Sequence, residues 1–193
     1  MPYNGSMNLP NLLTLSRMAM LPVLVGLFFV PGTAAAWGAL GLYIVAAVTD
    51  FLDGHLARSM NAMSDLGRFL DPISDKIFVA VLLVTLVEFD RLPGVWIIPA
   101  IVILSREFMV SGLREYLGPK NIQVPVSRLA KWKTGIQMTA LGFLVIGDYG
   151  DVLVPHTLAI GQWGLLVAAG ITVYTGWFYL KTGILHITDT KSG

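Results

Sequence analysis

The chain of 193 residues contains no cysteine. That excludes disulfides and every thiolate metal site, and it says nothing about compartment. The three histidines, His55, His156 and His186, are isolated and show no metal-ligand spacing, so a zinc centre is not favoured. Charge is scarce as well. Only 13% of the residues are charged, against roughly 25% in an ordinary soluble domain. The formal net charge is +1, so no global field points to a nucleic-acid partner. Turn signals at strand spacing are missing, which argues against a β-barrel. No internal repeat and no low-complexity segment interrupts the chain. The first apolar segment lacks a basic start and a small-residue cleavage site, so it reads as a retained helix rather than a signal peptide.

What is present is apolar. Hydrophobic residues make up 55% of the chain, in runs too long for a soluble all-helical core. The fold class expected is an all-α integral membrane protein with six transmembrane helices. Punctuation by Pro, Gly and charge places them at about Asn11 to Val30, Ala34 to Met60, Gly67 to Glu88, Val95 to Leu117, Ser127 to Ile146 and Leu158 to Gly183. Residues 1–6, MPYNGS, put Gly-Ser ahead of Met7 and read as a vector remnant before a single domain from 7 to 193. Tyr43, Trp96, Trp163 and Trp177 lie near helix ends and read as interface anchors.

Basic residues orient the bundle. Arg17, Arg58, Arg68, Lys76, Arg106, Arg114, Lys120, Arg128, Lys131, Lys133, Lys181 and Lys191 collect on one side. Arg91 alone falls on the other, with Glu88, Asp90, Asp148 and Asp151. By the positive-inside rule the basic side is cytoplasmic, with both termini there. This expects a multi-pass protein of the cell's inner membrane with its chemistry at the cytoplasmic face.

Four aspartates stand out near that face: Asp50, Asp53, Asp71 and Asp75. Spacings of three and four put each pair on one helix face. The short connector NAMSD makes helices two and three antiparallel neighbours, so the pairs can converge. Four carboxylates so close repel one another. Hard divalent cations relieve this, and an oxygen-only set suits Mg²⁺ or Mn²⁺. Four carboxylates suit two ions, and two-metal sites clamp the attacking and leaving oxygens of phosphoryl displacements. The expected cavity is therefore polar and di-metal. Gly54, Ala57 and Gly67 would let a substrate or backbone approach closely, and the Arg58 fork suits a pyrophosphate. Taken singly, each residue also fits a purely structural helix contact.

The pattern Asp50-x2-Asp53-Gly54-x2-Ala57-Arg58-x8-Gly67-x3-Asp71-x3-Asp75 resembles, at every fixed position, the signature of the CDP-alcohol phosphotransferase family. The resemblance implies an integral membrane enzyme that displaces CMP from a CDP-linked donor with an alcohol. It implies that Asp50, Asp53 and Asp71 hold metal. Asp75 would face the metals and act as base on the acceptor hydroxyl. Gly54, Ala57, Arg58 and Gly67 would contact the CDP part, with Ser64 adding a hydroxyl to the phosphates. A homodimer is also implied.

The flanks narrow the substrate. NLPNLLTLSRM (8–18), SREFMVSGLREY (105–116) and SRLAKWKTGIQM (127–138) resemble segments of the bacterial phosphatidylglycerophosphate synthases within that family. The loop LGPKNIQVPV between the last two has no close counterpart. The implied partners are CDP-diacylglycerol, glycerol 3-phosphate and the lipid bilayer. Arg106, Arg114, Lys131 and Lys133 lie near the cytoplasmic ends of helices four and five. Such cations are costly in a bundle unless they meet an anion, and a phosphate of the acceptor would be one. They could instead anchor to lipid headgroups or pair with Glu107 and Glu115. Asn11 and Thr14 could meet the cytidine base or ribose, or cap the first helix. Other acceptors (serine, inositol phosphate or phosphatidylglycerol) remain alternatives within the family. A cation transporter would need polar or broken helices reaching the far side. The outer halves of helices one, three and six carry almost none.

Overall fold

The structure is a computed structural model. It describes the backbone of residues 9–60, 65–118 and 128–189, and side chains over 14–50, 73–118, 129 and 132–181. Six α-helices follow in chain order: α1 Leu9–Phe28, α2 Thr33–Met60, α3 Asp65–Glu88, α4 Ile97–Leu117, α5 Arg128–Ile146 and α6 Thr157–Asp189. Short 3₁₀ segments, Gly94–Trp96 and Gly147–Val152, precede α4 and follow α5. No strand occurs among the described residues.

The expected helix boundaries hold to within a few residues because the turn chemistry is explicit. α1 stops at Pro31-Gly32, where Gly32 takes φ +117°. α3 stops in a Schellman motif: Arg91 N–H donates to Leu86 O at 2.9 Å and Asp90 N–H to Val87 O at 3.2 Å. Asp90 sits in the left-handed region that this motif requires. Gly147, at φ +55°, ends α5 beneath the Arg91 guanidinium, which a Cβ there would strike.

α1 packs against both α2 and α3, α2 against α5, and α6 against α4 and α5. The shared core is aliphatic, with Leu82, Leu86, Ile103, Leu141, Leu144 and Leu165 fully buried. Small residues bring α5 and α6 together. A Cβ on Gly161 would stand 2.8 Å from Leu144 Cγ, so the two backbones approach closely, as membrane helices do at small residues.

Three helical stretches among the described residues are long and apolar enough to cross a membrane: Thr33–Asp50, Gly94–Leu117 and Thr157–Lys181. α1 contributes a shorter apolar run, Thr14–Phe28. The described parts of α3 and α5, 73–88 and 132–146, are shorter than a full span. One expectation is overturned. Tyr43 is not an interface anchor: it is 3% exposed. Its hydroxyl donates to Met138 O at 2.7 Å, and its ring stacks on Phe78.

Candidate functional site

A polar cavity of about 200 Å³ opens where α1 to α5 meet. Its walls include Arg17, Asp50, Asp75, Glu107, Lys133 and Gln137, one or two residues from each helix. Two of the four aspartates are therefore brought together by the fold. Asp50 lies near the end of the apolar part of α2, and Asp75 lies one residue past buried Ser74 on α3. Arg17, on α1 between them, joins the two. Its Nη1 donates to Asp50 and, at 2.7 Å, to Asp75 Oδ1, while Nη2 donates to Ser74 Oγ at 3.3 Å. Arg17 is 4% exposed. Without those carboxylates a guanidinium at that depth would cost several kcal/mol.

Two carboxylates on separate helices thus converge on one positive charge. The donor set is all oxygen: the chain has no cysteine, and no histidine lines the cavity among the described residues. This fits a hard divalent cation of the Mg²⁺ or Mn²⁺ kind. Asp53 and Asp71 lie outside the described side chains, as do Asn11, Gly54, Ala57, Arg58, Ser64, Gly67 and Lys131. Among the described residues no group of three or more candidate ligands occurs.

The basic residues divide. Lys133, 6% exposed, lines the cavity and ion-pairs with Glu107. Arg106 Nη1 reaches the same Glu107 oxygen at 3.2 Å. Arg106 and Arg114 do not line the cavity. Both turn to α6, where Arg114 Nη2 donates to Tyr179 Oη at 3.0 Å and Arg106 Nη2 to Thr175 Oγ1 at 3.4 Å. Thr14 is buried in α1, five residues after Leu9, so it does not cap that helix. Arg17 and Glu107 were not singled out as site residues by the sequence. The available signal was the cost of an arginine two turns inside an apolar helix.

Beside the polar cavity runs an apolar groove of about 560 Å³ between α2, α5 and the turn before α6. The two spaces share Ala47 and Met138 as walls.

A sequence model of the CDP-alcohol phosphatidyltransferase family matches residues 7–174. The chain is 42% identical, over 175 residues, to a CDP-diacylglycerol–glycerol-3-phosphate 3-phosphatidyltransferase of Rickettsia typhi. That match covers 90% of this chain and 96% of the relative. A protein of the same name from Pseudomonas fluorescens is 36% identical over 190 residues, 96% of this chain and 95% of its own. A CMP-forming cardiolipin synthase of Oryza sativa subsp. japonica is 38% identical over 191 residues, 91% of this chain and 57% of the relative.

Proposed function

The chain belongs to the CDP-alcohol phosphatidyltransferase family, and from that premise we propose that it transfers a phosphatidyl group from CDP-diacylglycerol to glycerol 3-phosphate, giving phosphatidylglycerophosphate and CMP. The observation that carries this reading is the convergence of Asp50 and Asp75 with buried Lys133 on one polar cavity. Carboxylates for cations and a lysine for a second anion are what two phosphate-bearing substrates require.

Asp50, Asp53, Asp71 and Asp75 would hold two divalent cations. When bound, Mg²⁺ or Mn²⁺ would neutralise the pyrophosphate and the charge that develops on departing CMP. Gly54, Ala57, Arg58 and Gly67 bind the CDP part, with Ser64 on its phosphates and Asn11 and Thr14 toward the nucleoside. Lys131 and Lys133 take the acceptor's phosphate, joined from beyond the cavity lining by Arg106, which shares Glu107 with Lys133, and by Arg114. Asp75 accepts the proton of the acceptor hydroxyl, whose oxygen attacks the phosphorus nearer the diacylglycerol. The bond from that phosphorus to the CMP oxygen breaks, and no covalent enzyme intermediate is needed. The apolar groove gives the donor's acyl chains a way out into the bilayer, since it shares a wall with the cavity.

We read all six helices as spans. A helix rises about 1.5 Å per residue, so even the 19 residues of α5 come close to the roughly 30 Å hydrocarbon core. The basic bias supports a cavity at the cytoplasmic face of the inner membrane, with both termini on that side. The enzyme is read further as a homodimer, on family resemblance.

Reconstituted protein supplied with labelled CDP-diacylglycerol and a panel of acceptors tests the reading. Glycerol 3-phosphate should support CMP release, and serine, inositol phosphate and phosphatidylglycerol should not. Release with phosphatidylglycerol would favour the activity named for the rice relative. Asp75→Asn should abolish turnover in a protein that still folds, and wild-type activity in that variant would defeat the assignment of the base.

A further inference from the structure

Arg106 and Arg114 meet on a single ring of α6. Arg114 Cζ lies 5.3 Å from the Tyr179 ring centroid and Arg106 Cζ lies 5.8 Å from it. The Tyr179 hydroxyl also accepts the Arg114 hydrogen bond, and Thr175, one turn earlier, accepts one from Arg106. Tyr179 and Thr175 are both buried, each 3% exposed. Between them Gly176 leaves room for the Arg106 stem, because a Cβ there would stand 3.0 Å from Arg106 Cγ. The Thr175 hydroxyl is itself fixed, donating to Ile171 O at 2.9 Å.

Arg106 has Glu107 beside it. Arg114 is exposed and, among the described residues, makes no ion pair; its contacts with Tyr179 hold its position and leave its charge open to an anion from outside. Side chains as long as arginine lose much rotamer freedom on binding, and holding them beforehand removes that cost from the binding step. A guanidinium fork matches phosphate oxygens and gives nothing comparable to a neutral hydroxyl compound.

We propose that Tyr179, backed by Thr175, is a positioning residue that holds Arg106 and Arg114 as a fixed pair for the acceptor's phosphate, and so sets the preference for a phosphorylated over a neutral acceptor. This rests on the acceptor reading above. Tyr179 touches no reacting atom and acts through the arginines.

The test compares wild type, Arg106→Ala, Arg114→Ala, Tyr179→Phe and Tyr179→Leu in proteoliposomes. Kinetic constants are measured for both substrates, together with inhibition by inorganic phosphate. Tyr179→Leu loses ring and hydroxyl, and should raise the KM for glycerol 3-phosphate about tenfold. Tyr179→Phe keeps the ring and should raise it about threefold. Both should leave kcat and the donor KM nearly unchanged, and phosphate inhibition should weaken in parallel. If the arginine variants raise the acceptor KM and Tyr179→Leu does not, the positioning role is overturned. A joint loss of kcat and of affinity for both substrates would reduce Tyr179 to a packing residue and overturn it equally. If the arginine variants leave the acceptor KM unchanged, the acceptor reading fails and takes this inference with it. Should Tyr179→Leu not fold, Tyr179→Phe decides alone: an unchanged acceptor KM overturns the proposal.

Discussion

Arg17 donates to carboxylates from two helices that are distant in sequence, and its removal should expose what those carboxylates need. Arg17→Met leaves Asp50 and Asp75 facing one another across the cavity. In metal-free detergent solution the variant should lose about 1–2 kcal/mol of stability, since the carboxylates left unpaired are partly exposed, with much of it restored by Mg²⁺. Thermal unfolding with and without Mg²⁺ measures this, and equal destabilisation in both conditions would speak against a cation between the carboxylates. The aspartates were legible in the sequence, because carboxylates at helical spacing in an apolar chain demand a counter-charge. Which counter-charge α1 would supply was not, since nothing local ties Arg17 to partners 33 and 58 residues away. Tyr43 is a similar case: its role depends on Met138 O, 95 residues on. Tyr43→Phe should cost about 1 kcal/mol in the same unfolding experiment, and an unchanged midpoint would show that the bond contributes nothing net.

At the scale of elements, the sequence located all six helices. Pro31-Gly32, the chain around Asp90 and Gly147 are turn signals with a local physical cause, and local causes can be read locally. Gly147 should be nearly irreplaceable. Gly147→Ala adds a left-handed backbone penalty of about 1–2 kcal/mol to the displacement of Arg91 from its site beside Asp148. A variant that unfolds at the wild-type temperature would contradict that packing. The spaces between helices were not legible, because a groove belongs to two or three elements at once. The α2–α5 groove carries its own prediction. Val48 lines it but not the polar cavity. Val48→Trp should raise the KM for dioleoyl CDP-diacylglycerol several-fold and spare a dihexanoyl donor. Equal effects on both donors would remove the groove from the path of the acyl chains.

For the whole molecule, composition declared a membrane protein and the basic bias gave it a direction. Three helical stretches that are long and apolar enough to cross a membrane, among the described residues, agree with the first reading. A chain without cysteine suits single-cysteine labelling. Cysteine at exposed Val152 should react from outside intact cells, and cysteine at Lys181 only after permeabilisation; the reverse pattern would invert the topology. The account as a whole stands on carboxylates from α2 and α3 sharing divalent cations in one cavity. The most direct measurement is Mn²⁺ binding to the purified protein by electron paramagnetic resonance, comparing wild type with an Asp50→Asn, Asp75→Asn double variant. The account predicts two bound ions per wild-type chain and a clear loss in the variant. A wild-type protein that binds no Mn²⁺, or a variant that binds it equally well, would contradict it.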